Sequence, residues 1–142
     1  MRSIALAVGL FLVLFGFVIG LGLQYAFDLH CFYLVLGGAL AFTYVAHQKN
    51  LWRAIAVGFL GKEADPETRA HSVQVLKTLR RVLVSMGITI AFVGAINMSR
   101  GLENLADFGP AFSVLLLAPF YGVVFGELIV LPAIRHLEVD PD

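Results

Sequence analysis

The chain has 142 residues, of which 59% are hydrophobic and 14% charged, where soluble proteins carry about 25% charged residues. Ten Lys and Arg balance ten Asp and Glu, so no net field draws in nucleic acid or an acidic substrate. One cysteine excludes a disulfide scaffold, and the composition excludes intrinsic disorder. An all-α integral membrane protein remains.

The first apolar run, Ile4 to Leu23, contains only Ala, Val, Leu, Ile, Phe and Gly. Twenty residues reach about 30 Å, the thickness of a bilayer core. A signal peptide is the rival reading, with Arg2 as its basic region. The apolar core is too long for that, and no small-x-small cleavage site precedes Gln24. A retained span over 4–23 is expected.

The second span is expected over 29–46, ending at His47-Gln48-Lys49-Asn50. An amphipathic segment, 49–81, follows. Asn50 to Leu60 mixes Leu51, Trp52, Ile55, Phe59 and Leu60 with Arg53, a composition suited to a helix lying at the lipid surface. Asp65-Pro66-Glu67 then reads as an N-cap, an N1 proline and a first-turn acid. From there apolar positions continue through Val73, Leu76, Leu79 and Leu83 into a third span at 82–98. The pattern predicts one helix of about 34 residues, projecting about 20 Å beyond the bilayer. The alternative is a short loop helix broken before Arg80. The fourth span, 108–134, holds one charge, Glu127, and three prolines, Pro110, Pro119 and Pro132. Prolines are tolerated where neighbouring helices satisfy the freed carbonyls.

Charge sets the orientation. Lys49, Arg53, Lys62, Arg69, Lys77, Arg80 and Arg81 lie between the second and third spans, and Arg2 and Arg135 fall on the same side. The opposite loops, 24–28 and 99–107, hold only Arg100. The positive-inside rule therefore makes both termini and the central segment cytoplasmic. The whole chain, 1–142, reads as a single four-span membrane domain.

Few residues carry chemistry. Glu127 is the one ionisable residue well inside a span, and such a residue is a functional candidate by default. It lies near the cytoplasmic end, where it is either an ion-attracting or partner-contacting group or a tolerated interfacial acid. Ser85, Thr89 and Asn97, spaced four and eight apart, share a face of the third span. Ser113 and Tyr121 do so on the fourth. Such stripes line a hydrated path or hydrogen-bond between helices. Gly16-x-x-x-Gly20 and Gly122-x-x-x-Gly126 permit close helix packing. His30, His47, His71 and His136 are scattered along the sequence, and Cys31 stands alone at a span boundary. No nucleophile–base pair, phosphate loop, metal spacing or cofactor motif is present, so no enzyme is expected.

Two segments together resemble the MotA/TolQ/ExbB proton-channel family, its MotA branch in particular. The first is Ala26-Phe27-Asp28, then Tyr33-Leu34-Val35-Leu36-Gly37-Gly38-Ala39-Leu40-Ala41 and the amphipathic stretch from Leu51. It is similar to the family's short outer loop, Gly-Gly span and interfacial helix. The second, Leu105 to Pro132, holds Gly109-Pro110-Ala111, Phe120-Tyr121-Gly122 and Leu131-Pro132-Ala133. It looks like the entry, Tyr-Gly turn and closing proline of the family's fourth span.

The resemblance implies a pentameric ring whose third and fourth helices line a central pore. Within that pore would stand the single spans of a MotB/ExbD/TolR-type partner dimer, whose aspartate carries the proton. There are departures. Only 33 residues, 49–81, stand where MotA-like proteins insert a large cytoplasmic domain. The family's pore threonines align with Ala91 and with Ala118-Pro119, and its asparagine near the end of the fourth helix aligns with Glu127. Water supported by Thr89, Ser113 or Tyr121 would then have to carry protons, with five copies of Glu127 ringing the inner mouth.

The expected function is a stator-like proton-channel subunit of a bacterial inner membrane. A non-conducting oligomeric scaffold that binds a partner protein or lipid is the alternative. An unrelated four-helix transporter would place polar groups near mid-membrane on several helices, and the first span has none.

Overall fold

A computed structural model describes residues 28–100 and 105–139. The expected first span, 4–23, with Gly16 and Gly20, lies outside the described residues. Everything described is helical or a short connection.

Helix α1, Leu29–His47, starts at the Asp28 N-cap, whose Oδ1 accepts the His30 and Cys31 backbone N–H groups at 2.9 and 3.2 Å. It stops at Gln48, where φ is +48°. That single residue turns the chain directly into α2, Lys49–Leu60. Gly61, at φ +62°, closes α2 in the left-handed conformation that glycine adopts without strain. Helix α3 then runs unbroken from Pro66 to Arg100, 35 residues and about 52 Å. The expected continuity into the third span holds, and no break precedes Arg80. Helix α4, Leu105–Val123, passes into a π-helical segment, Val124–Val130, and then into α5, Leu131–Val139. The Leu131 N–H bonds to the Gly126 carbonyl, five residues back. Pro119 and Pro132, which lack N–H groups, flank this widened segment.

Among the described residues three stretches are long and apolar enough to cross a membrane: Leu29–His47, Pro66–Arg100 and Phe108–Val139. The protein is thus an all-helical, multi-pass membrane chain. Both α1 and α4 pack on α3, which is the centre of the fold.

Glycine sets the α3–α4 distance. A Cβ at Gly87 would lie 2.7 Å from the Ala118 carbonyl oxygen, one at Gly94 2.8 Å from the Leu115 backbone nitrogen, and one at Gly122 2.7 Å from the Leu83 carbonyl. No side chain fits between these backbones. At the other end of α3 a small apolar head forms. Leu51, Ala54 and Val57 of α2 are buried with Val75, Leu76 and Leu79 of α3 and with Ile134 and Leu137 of α5. Trp52, Phe59 and Leu60 face outward on the same short helix, as a helix lying against lipid requires.

Replacing Gly87 with Val should destabilise the fold by about 2 kcal/mol or more, since the neighbouring atoms are backbone and cannot move aside. Gly37→Ala, where nothing lies within 4 Å, should change stability by no more than about 1 kcal/mol, and in the stabilising direction. Thermal unfolding in one detergent, followed by circular dichroism, compares the two.

A second expectation concerns the α3 N-cap. Asp65 Oδ2 accepts the Thr68 N–H at 3.2 Å. The Thr68 side chain and then its backbone, with Arg53 nearby, hold the Asp65 carboxyl below its ordinary value. The folded chain therefore binds this proton more weakly than the unfolded chain does. The cap's contribution is complete at neutral pH and is lost as pH falls through the depressed folded value. Amide exchange at Thr68 should accelerate in Asp65→Ala. In Asp65→Asn the protection should persist and lose its acid dependence.

Candidate functional site

The charged groups of α3 and of the α4–α5 rod meet at the end nearer the apolar head. Arg80 donates from Nε to Glu127 Oε1 at 3.0 Å, and from Nη2 to Oε1 and Oε2 at 2.9 and 2.8 Å. Both side chains are about one-third exposed, at 38% and 33%. One turn along, Lys77 Nζ lies 2.6 Å from Glu138. Two features allow the Arg80–Glu127 pair. Gly126 lets the rod approach α3, since a Cβ there would sit 3.3 Å from the Arg80 carbonyl. The π segment also rotates successive residues by less than an α-helix does, which keeps Glu127 beside the α3 seam.

This geometry revises the expectation of Glu127 as an open, cation-attracting acid. Its charge is already matched, in a two-pronged guanidinium–carboxylate contact within the chain. Arg80 is 47 residues away, beyond the reach of any local pattern. A lone acid in an apolar helix calls for a cation, and Arg81 and Arg80 are the first two on α3 below the apolar run.

The hydroxyl residues divide. Ser85 and Thr89 are exposed, and stand two residues either side of Gly87, so they point away from α4. Ser113 stands between Ala111 and Leu115, which touch Gly94, and so points away from α3. Asn97 is also exposed, and Ala91 is half-buried. Thr89 Oγ1 donates to the Ser85 carbonyl at 2.8 Å and Ser113 Oγ to the Gly109 carbonyl at 3.1 Å. Both hydroxyls thus satisfy themselves on their own helix.

Three expected pore residues lie elsewhere. Ala118 is fully buried beneath Gly87 and Pro119 packs beside it. Tyr121 is 5% exposed and turned toward α1. Its hydroxyl accepts the Asp28 N–H at 3.1 Å, and its ring meets Phe32 edge-on at 6.1 Å. Within one chain these residues pack helices together. Gly122 and Gly126 also face α3.

The histidines need a correction as well. His47 and His71 come together, with ring centroids 6.3 Å apart. His47 Nε2 lies 3.1 Å from Thr78 Oγ1, and the Thr78 hydroxyl donates to the Gln74 carbonyl, so the Nε2–H is the donor in the first bond. Sequence separation had hidden this pair. Among the described residues no group of three or more His, Cys, Asp or Glu side chains is placed to hold a metal ion.

No protein-family model matches this chain, and no curated protein matches it.

Arg80→Leu and Glu127→Leu should each destabilise the fold, because each strands a partly buried charge. The double variant should recover part of the loss, with a coupling of about 1–3 kcal/mol in a double-mutant cycle. Additive losses would mean that the pair contributes nothing as a pair.

Proposed function

We propose that this chain is a ring-forming subunit of the MotA/TolQ/ExbB-like kind, sited in a bacterial inner membrane with its apolar head and both termini in the cytoplasm. In this reading several copies, five by the family resemblance, surround the single spans of a MotB/ExbD/TolR-type partner and couple proton flow to movement of that partner. One observation carries the reading. A glycine-tight α3–α4 pair turns hydroxyl-bearing faces outward from both helices, Ser85 and Thr89 on one and Ser113 on the other. Lipid gains nothing from these hydroxyls, whereas a lumen between copies that holds a partner's span has a use both for them and for the apolar Ile88, Phe92 and Ile96 on the same α3 face. The titrating carboxylate would come from the partner, because Glu127 is held by Arg80.

A second reading, a non-conducting scaffold that holds a partner or lipid, is favoured by that same pair. The in-span acid is neutralised, and the Thr89 and Ser113 hydroxyls are already bonded.

Native mass spectrometry of mildly purified protein tests the assembly. The reading expects a ring with two copies of a single-span protein. A monomer stable across detergents would overturn it. Proton flux into liposomes then divides the two readings: in a channel Thr89→Val should lower flux about tenfold, while in a scaffold neither protein conducts.

A further inference from the structure

The corner between α1 and α2 encloses an open recess of about 400 Å³, lined by His47, Gln48, Lys49, Asn50 and His71. Its lining holds one cation, two imidazoles and two side-chain amides, and no carboxylate. Asp65 and Glu67 line an adjoining recess that shares Asn50 and His71 as its wall and holds Arg53 beside the two acids. His47, Gln48 and Lys49 line only the recess without a carboxylate. The Lys49 ammonium has no ion-pair partner among the described residues. His47 is anchored through Thr78 on α3, which fixes one wall of the recess. Gln48 offers no side-chain cap to the start of α2; its carbonyl accepts the Leu51 N–H at 3.2 Å.

The level of this recess narrows the ligand. Helix α1, 19 mostly apolar residues, has the reach of a bilayer core and ends at His47. Trp52, one turn beyond Lys49, is 60% exposed, and tryptophan on an outward helical face marks the headgroup level. A cationic, donor-rich, carboxylate-free cavity at that depth is suited to a phosphate group. We propose that the recess formed by His47, Lys49, Asn50 and His71 binds the phosphate of an anionic lipid headgroup, with Lys49 supplying the charge and Asn50 and His71 supplying hydrogen bonds. Anchoring of the α1–α2 corner would follow, because the bound lipid's acyl chains lie against α1 and α2. The inference requires a membrane chain but no ring or partner.

The test uses the full-length protein in nanodiscs containing equal amounts of phosphatidylglycerol and phosphatidylcholine, with retained lipid read by native mass spectrometry. Wild type should keep phosphatidylglycerol in preference. Lys49→Ala should reduce that preference about fivefold, the effect of one cation near a charged surface. Lys49→Glu should abolish it, and Lys62→Ala, an exposed cation outside the recess, should leave it unchanged. Millimolar inorganic phosphate is the second arm: free phosphate that perturbs the His71 ring resonances, with no lipid preference, would replace the headgroup by a soluble anion as the ligand and overturn the lipid assignment. Equal retention of both lipids and no response to phosphate would overturn the site altogether. An equal loss in Lys62→Ala would do the same, by showing only general surface charge.

Discussion

The contact between the backbones of α3 and α4 is the constraint on which the rest of the structure depends. Gly87, Gly94 and Gly122 bring main chain against main chain, and in lipid such close packing replaces the hydrophobic effect as the force between helices. Its phase decides every other assignment. With Gly87 against Ala118, Ser85 and Thr89 must point outward. With Gly122 against Leu83, Tyr121 must turn to α1. With Gly126 over Arg80, Glu127 comes within reach of the guanidinium. Sliding one helix by a turn would lose the ion pair along with the contact, so the two features fix one register.

The same helix works in two solvents. From Pro66 to about Leu79 it contributes to a head in which Leu51, Leu76 and Ile134 are buried almost completely. Burial there is driven by the release of apolar surface from water. Beyond Arg80 the outward face carries Ile88, Phe92 and Ile96 beside Ser85 and Thr89, all substantially exposed within one chain, and neither lipid nor a neighbouring apolar helix penalises such apolar surface. Small residues dominate the contacts in one half, large aliphatic ones in the other. Arg80 and Lys77 stand where the two regimes meet, with their partners Glu127 and Glu138 from the other rod.

What could be read from the amino-acid order follows the range of the interaction. The extents of α1, α2 and α3 are local matters. An uninterrupted apolar run, the break at His47-Gln48-Lys49-Asn50 and the Asp65-Pro66-Glu67 start are each decided within a few residues, and the structure agrees with them closely. Facing is not local. Ala118 looks like a lumen residue by alignment to a family pattern and Tyr121 by its spacing from Ser113, yet both are buried within a single chain, because the close glycine contacts between α3 and α4 set the direction in which they point. Gly87 and Gly94 are seven apart, two turns, and so lie outside the four-residue spacing of small residues that marks a packing face in a sequence. The Arg80–Glu127 and His47–His71 pairings depend on tertiary register; the lone acid of the last span shows that a cation is needed but not which one, and nothing local marks the histidine pair.

Helix α3 has a mechanical consequence. Between Pro66 and Gly87 there is neither glycine nor proline, so nothing softens the rod where it crosses from the head to the lipid-facing half. A force applied to the head cannot be absorbed there as bending. It is delivered to the far end as tilt: over about 52 Å, a rotation of about 5° displaces the opposite terminus by about 4.5 Å. The head is therefore a handle on the membrane half, and whatever grips it also steers the outer ends of the helices.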